Sequence, residues 1–159
     1  MTTTVVDTNA LLALLYDDEY ADESEAALRE AYREGRLVVP PVVYAELAAD
    51  GHFEESTDLD AFLSDFSIRL EPPSSDATFR AGESFREYLD RRPDGLACPA
   101  CGTERTADCP DCGESLADRQ HIAADFLVGA QASVDADALV SFDAAFYGTY
   151  FPSTLVLTE

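Results

Sequence analysis

Two kinds of side chain in this sequence stand in arrangements that could do chemistry: four cysteines, and a set of carboxylates that follow apolar runs. The cysteines fall in two matching pentapeptides, Cys98-Pro99-Ala100-Cys101-Gly102 and Cys109-Pro110-Asp111-Cys112-Gly113, with seven residues between the inner cysteines. A two-residue gap lets a tight turn aim both sulfurs at one ion. The proline limits the turn's φ, and the glycine lets the backbone fold so that amides face the sulfurs. Two such turns predict a tetrahedral zinc site made by Cys98, Cys101, Cys109 and Cys112. A disulfide pairing and an iron site are weaker alternatives, the first because a cytosolic chain keeps its thiols reduced. With all four positions filled by protein, a zinc ion there is structural.

The carboxylates of interest are Asp7, Glu46, Asp125 and Asp143. Asp7 directly follows Val5-Val6, and Asp143 directly follows Leu139-Val140-Ser141-Phe142. Each also precedes a helical pattern, where a carboxylate caps free amides, so capping is a competing account of both. Glu46 lies one turn into the pattern after Pro41, with Val42, Val43 and Ala49 at helical spacing, which puts it on or near a buried face. Steps of three and four from Asp125 reach Ile122, Gly129 and Ala132, so Asp125 interrupts a core-facing stripe, and a buried carboxylate needs a partner. Gly129 lets that helix approach the sheet closely. Three or four carboxylates converging at one place would hold a hard divalent cation such as Mg²⁺. Such a site suits metal-assisted hydrolysis of a phosphodiester. Of the two histidines, His52 and His121, the second stands four residues before Asp125 and is expected to be exposed or to support the acids.

The elements that must position these residues alternate in type. Thr2 to Val6 reads as a strand, Asn9 to Tyr16 and Glu23 to Arg33 as helices, and Leu37 to Val39 as a buried strand stopped by Pro40-Pro41. Helices follow at Val42 to Ala49 and Asp58 to Phe66, a strand at Ser67 to Leu70, and a helix at Ala77 to Leu89. Ser115 to Ala132 reads as one long helix, Ala138 to Phe142 as a strand, Ala144 to Tyr150 as a short helix, and Thr154 to Leu157 as a last strand. This alternation predicts a three-layer α/β/α sandwich around a central parallel sheet. Ligands of such sheets sit beyond the carboxyl ends of the strands, where Asp7 and Asp143 fall. Residues 91–114 are rich in Pro, Gly, Asp and Cys and lack periodicity. They read as a zinc-stapled insertion within a single domain spanning residues 1–159.

Composition narrows the class. The chain has 159 residues, 47% of them hydrophobic, which is enough for one ordinary core and too apolar for a disordered acidic tail. No apolar run is long enough to span a membrane, and no basic segment precedes an apolar stretch at Met1, so a cytoplasmic protein without a secretory signal is expected. There are 32 acidic residues against ten basic ones, all of them Arg, for a formal charge of −22. Acid enrichment with no Lys predicts adaptation to a salt-filled cytoplasm; an acidic surface that mimics nucleic acid is the competing account.

Taken in order, the acidic motifs resemble those of PIN-domain proteins, the ribonuclease fold of VapC-type toxins and of several RNA-processing nucleases. Asp7-Thr8-Asn9-Ala10-Leu11-Leu12 is similar to the family's first motif and Tyr44-Ala45-Glu46-Leu47 to its second. Asp125 to Ala132 resembles the third, and Leu139 to Tyr147, with its aromatic pair, the fourth. The resemblance implies Asp7, Glu46, Asp125 and Asp143 as the catalytic acids. Asp7, Asp125 and Asp143 would contact Mg²⁺ or Mn²⁺, and Glu46 would complete the site or position the attacking water. It further implies Asn9 as a support of the Asp7 loop, Ser141 as a hydroxyl that orients a ligand, RNA as substrate, a homodimer, and an antitoxin protein as partner. Departures are the cysteine insertion, Phe142 where a basic residue is frequent, and the want of a positive surface to guide RNA. The competing reading is a non-catalytic PIN-like module that binds RNA or protein and carries a structural zinc.

The charge has a direct consequence. At ~1 M salt the Debye length falls to ~3 Å and the self-repulsion of a −22 chain is largely screened. Thermal melts are expected to shift upward as KCl is raised to molar concentration; a melting temperature indifferent to salt would rule out that adaptation.

Overall fold

The computed structural model describes residues 1–98 and 100–158. Its organising element is β1 (Thr2–Val6), whose last three residues are buried and which pairs in parallel on both sides. On one side Val5 lies opposite Val38 of β2 (Gly35–Val39); on the other, Val5 and Val6 lie opposite Leu139 and Val140 of β6 (Ala138–Val140). Such apolar, β-branched runs suit strands buried on both faces. Adding β3 (Ile68–Leu70) beside β2 and β7 (Leu155–Val156) beside β6 gives a five-stranded, all-parallel sheet of order β3-β2-β1-β6-β7. The order reverses at β1, because the chain first builds toward β3 and later returns to the other side of β1. A crevice opens at such a switch point, beyond the carboxyl ends of β1 and β6.

Helices flank the sheet, as the alternation predicts. They are α1 (Thr8–Tyr16), α2 (Ala21–Glu34), α3 (Pro41–Ala49), α4 (Ser56–Asp65), α5 (Ser75–Arg91), α6 (Ala124–Val134) and α7 (Ala144–Tyr150). Pro41 opens α3, where its missing N–H costs nothing. Ser74 caps α5 by accepting from Ala77 N, and is itself held by the Asp135 carboxylate at the end of α6. α5 and α6 therefore pack as a pair, and rings from three helices lock them to α7: Phe85 and Tyr88, Phe126, and Phe146 and Tyr150. Among the described residues, no helix is long and apolar enough to cross a membrane.

Gly129 has a different role from the one expected. A Cβ at this position would lie 2.4 Å from the Phe151 ring and 3.0 Å from the Tyr147 ring. The missing side chain brings α6 against the aromatic residues of α7 and its exit, not against the sheet. This matters for the site, because Tyr147 reaches it.

The expected helix over Ser115 to Ala132 is also corrected: α6 starts at Ala124, and Ile122 is 43% exposed instead of core-facing. The backbone groups upstream are engaged elsewhere. Leu116 N donates to Ala107 O and Asp118 N to Gly95 O, so these amides do not enter a helical ladder. The irregular stretch between α5 and α6 is thus longer than residues 91–114. It holds two small hairpins: β4 (Leu96–Ala97) pairs antiparallel with β5 (Glu104–Arg105), and Asp108 bridges Ser115.

Each cysteine motif forms the tip of one hairpin, by the same bonds. Cys98 N donates to Thr103 O and Gly102 N to Cys98 O; Cys109 N donates to Glu114 O and Gly113 N to Cys109 O. Gly102 and Gly113 both adopt positive φ, +70° and +76°, which the turns require. Cys101 lies beside Cys98, and Cys109 beside Cys112. Among the described residues no three Cys, His, Asp or Glu side chains are gathered closely enough to hold a metal as they stand.

Candidate active site

The site is built outward from Asp7. β1 ends at Val6, and Asp7 N donates to Val140 O, so the residue continues the β1–β6 pairing by one step before α1 begins. It is only 6% exposed. One carboxylate oxygen accepts from Thr8 N at 2.8 Å; the other accepts from Ser141 Oγ at 2.7 Å and Tyr147 Oη at 2.9 Å. Asp7 caps α1, so the capping account of this residue holds, but three donors from three segments exceed what a cap needs.

Ser141 is fully buried and makes the central connection. Its hydroxyl donates to Asp7 while accepting from Asn9 Nδ2 at 3.2 Å and Asp143 N at 3.1 Å. Asn9 closes the loop by accepting from Phe142 N through Oδ1 at 3.1 Å. One serine and one asparagine thereby fix the first turn of α1 to the loop after β6. Asp143 caps α7 by accepting from Phe146 N at 3.2 Å. Glu46, half-buried on α3, accepts from the Thr8 hydroxyl. Asp125 stands half-buried in the first turn of α6, 3.2 Å from the Arg119 guanidinium. His121 is exposed.

Electrostatics tie the aspartates into one group. Burial raises the Asp7 carboxyl above the ordinary range; the Ser141, Tyr147 and Thr8 hydrogen bonds oppose this, and the Asp125 charge adds to it. Burial also raises Asp125, with Arg119 opposing and the Asp143 charge adding. The Tyr147 phenol is pushed far up by burial and by the charges of Asp7, Asp125 and Asp143. Tyr147 is thus a fixed neutral donor at the meeting point of three acids. As placed, no three of the carboxylates close on one point. In donor type, however, the set is all hard oxygen, and the carboxyls of Asp7 and Asp125 are raised, first by burial and further by a neighbouring acid charge. Both properties fit Mg²⁺ or Mn²⁺.

Sequence reasoning missed two members of this arrangement. Thr8 links Asp7 to Glu46 through its amide and hydroxyl. Tyr147 was visible only as half of an aromatic pair, although a Tyr one turn after Asp143 on a short helix is a signal: a buried phenol must find a hydrogen-bond partner.

Raised carboxyl pKa values oppose folding at neutral pH. Asp7 binds its proton more tightly folded than unfolded, so the cost of ionising it is absent below the unfolded value and grows as pH rises through the folded one. Asp7→Asn is therefore expected to melt above wild type at about pH 7 in metal-free buffer and to lose that advantage by about pH 3, below the usual aspartate value. Thermal melts of both proteins across that range check this; equal melting at neutral pH would contradict it.

Comparison with known proteins bears on the family and the fold. The family model described as PIN domain matches residues 4–95, more than half of the chain, ending where the hairpin segment begins. In a solved structure of VapBC2 from Rickettsia felis bound to a DNA fragment from their promoter, a chain aligns with TM-score 0.60 and 18% identity, covering 97% of this chain and 96% of that one. A chain of VapBC-1 from nontypeable Haemophilus influenzae aligns with TM-score 0.58 and 15% identity, with the same coverage. At these identities the likeness is one of fold, and it extends past residue 95 through α6, β6 and α7. No curated protein matches the chain significantly. With its parallel sheet, its switch-point acids and the match over residues 4–95, the chain belongs to the PIN domain family.

Proposed function

We propose that this chain is a metal-dependent endoribonuclease of the toxin or RNA-processing type, with Asp7, Glu46, Asp125 and Asp143 as its catalytic acids. The observation that carries this reading is that acids from four elements are linked at the carboxyl end of the β1–β6 pair: Asp7 to Glu46 through Thr8, Asp7 to Asp143 through Ser141, and Asp125 through its charge on Asp7 and Tyr147. Capping accounts for Asp143; it does not account for the Ser141 and Tyr147 donors on Asp7, nor for Glu46 held by Thr8.

Asp7, Asp125 and Asp143 would hold Mg²⁺ or Mn²⁺. When bound, such an ion supplies charge stabilisation on phosphate oxygens and lowers the pKa of a coordinated water. The protein's own part is orientation. Ser141 and Tyr147 both donate to one oxygen of Asp7 and hold its carboxylate in one orientation. Asn9 keeps Ser141 in register by holding it from the α1 side. Glu46, held by Thr8, is placed to accept a proton from, or orient, the attacking water. Similarity in fold to two VapBC structures supports a protein partner of the antitoxin kind, and a homodimer fits the same reading.

The whole chain, residues 1–159, forms one domain in this proposal, with the hairpin segment as its insertion. The cysteine turns are half-sites whose thiols suit zinc. The Thr103 hydroxyl, 3.2 Å from the Cys101 sulfur, lowers the Cys101 thiol, and backbone amides lower Cys109. Closure of both turns on one structural zinc predicts one zinc per chain by elemental analysis of the purified protein, lost on replacing Cys98 and Cys112 together. A zinc-free folded protein would leave two independent thiol pairs.

RNA cleavage with Mn²⁺, wild type beside Asp7→Asn, tests the activity. Loss of a supporting partner of a metal ligand costs ~10–100-fold, so removal of the ligand charge itself is expected to cost more than 100-fold. Undiminished cleavage by Asp7→Asn would overturn the assignment.

A further inference from the structure

The proposed reaction poses a charge problem that the acids cannot solve. RNA is a polyanion, the chain carries −22, and the crevice itself is lined by carboxylates. The side-chain cations of the protein are ten arginines, and four of them form ion pairs away from the crevice. Arg29 and Arg33 pair with Glu25 and Glu30 along α2, Arg36 with Glu71 at the sheet edge, and Arg80 with Glu83 and Glu87 along α5. Arg119 differs: among the described residues it is the arginine that pairs with one of the four acids.

Its placement is specific. Arg119 has φ +49°, a conformation uncommon for a residue with a side chain, and it is held there by its surroundings. Arg92 Nη1 donates to Asp118 O at 2.8 Å and to Arg119 O at 3.3 Å, while the Asp118 carboxylate accepts from Ala97 N at 2.8 Å. The root of the first hairpin and the end of α5 thus grip the two residues that deliver the side chain. The guanidinium lies over two rings, 5.6 Å from the Tyr88 centroid and 5.5 Å from the Phe146 centroid, and keeps 39% of its surface exposed. Stacking on rings engages the faces of a guanidinium and leaves its edge, which carries the donors, free to turn toward an anion.

We propose that Arg119 is the substrate-gripping residue of this site: it waits on the Asp125 carboxylate and transfers to a phosphate of the bound RNA when Asp125 turns to a divalent ion. This rests on the ribonuclease reading. A half-exposed ion pair is a weak contact and readily exchanged. The ring contacts and the Arg92 clamp do not depend on Asp125, so the guanidinium stays at the crevice after the exchange. Its paired N–H donors match two phosphate oxygens in a way that an ammonium does not. Phe142 stands apolar after β6, so the positive charge enters this crevice from the hairpin segment instead.

The full-length protein carrying Arg119→Ala and, separately, Arg119→Lys tests this, with a single-stranded RNA oligonucleotide and saturating Mn²⁺. Loss of charge-assisted hydrogen bonds predicts that Arg119→Ala raises KM by about tenfold or more, with a smaller change in kcat. Arg119→Lys is expected to recover only part of the loss, since it keeps the charge without the fork. Mn²⁺ affinity is expected to be kept or increased in Arg119→Ala, because a competitor for Asp125 is gone; this also shows that the site is folded. Unchanged KM, or faster cleavage by Arg119→Ala at saturating Mn²⁺, would overturn the proposal, the second result marking Arg119 as a plug. If wild type does not cleave, the ribonuclease reading fails separately. Binding of the same labelled oligonucleotide in Ca²⁺ then decides about Arg119: about tenfold weaker binding by Arg119→Ala supports the grip, and equal binding ends it.

Discussion

Asp7 sits in a place that resists its ionisation, and much of the architecture around it answers to that. Burial acts against the charge more strongly than any single partner acts for it. Three donors from three segments, Thr8, Ser141 and Tyr147, hold the carboxylate in one orientation. Because β1 lies between β2 and β6, a residue just past its end is enclosed on both sides. The same position in an edge strand would be open to water and would need none of these partners.

The cost of the charge also explains the order of the polar network. Ser141 is saturated: it donates once and accepts twice, from Asn9 and Asp143 N. Burial first, and the charges of three acids after it, keep the proton on the Tyr147 phenol, so its hydrogen bond to Asp7 has a fixed direction. Gly129 belongs to this arrangement although it touches no acid. Without the close approach it allows, the rings of Tyr147 and Phe151 would be displaced from α6, and the phenol with them. A polar site is thus held in place by an apolar contact on its far side.

The parallel sheet and its flanking helices were legible because their signals are local: short β-branched runs, each stopped by Asp, Pro or a helical pattern. The positions of Asp7 and Asp143 followed from the same signals, as residues after strands. Asp125 was identified partly through a stripe that included Ile122, yet Ile122 lies outside α6 and is exposed. The remaining stripe residues, Gly129 and Ala132, are on the helix and buried. Periodicity overran the true helix start because it does not register that the amides of residues 116 and 118 are committed to the hairpins. The Thr8–Glu46 and Tyr147–Asp7 contacts were not legible as pairs, since partners 38 and 140 positions apart leave no trace in spacing. The two cysteine turns are legible as turns, and each is the tip of its own hairpin; a turn motif specifies its own turn and not the distance to its twin.

The position of the hairpin segment follows from the same division between scaffold and loop. It joins α5 to α6, and Asp125 sits in the first turn of α6, so whatever precedes α6 is delivered to the crevice. Changes in this segment leave the register of the sheet untouched, because no strand of the five begins or ends in it. A rigid sheet can therefore keep Asp7 and Asp143 fixed while the loop varies what meets the substrate. The price is that the loop must hold itself in place, and the bonds of Arg92 to residues 118 and 119 and of Asp118 to Ala97 supply that anchorage. An arginine on α6 itself would point according to helical geometry; on this anchored loop, with a left-handed backbone, Arg119 can lie across two rings and still reach Asp125.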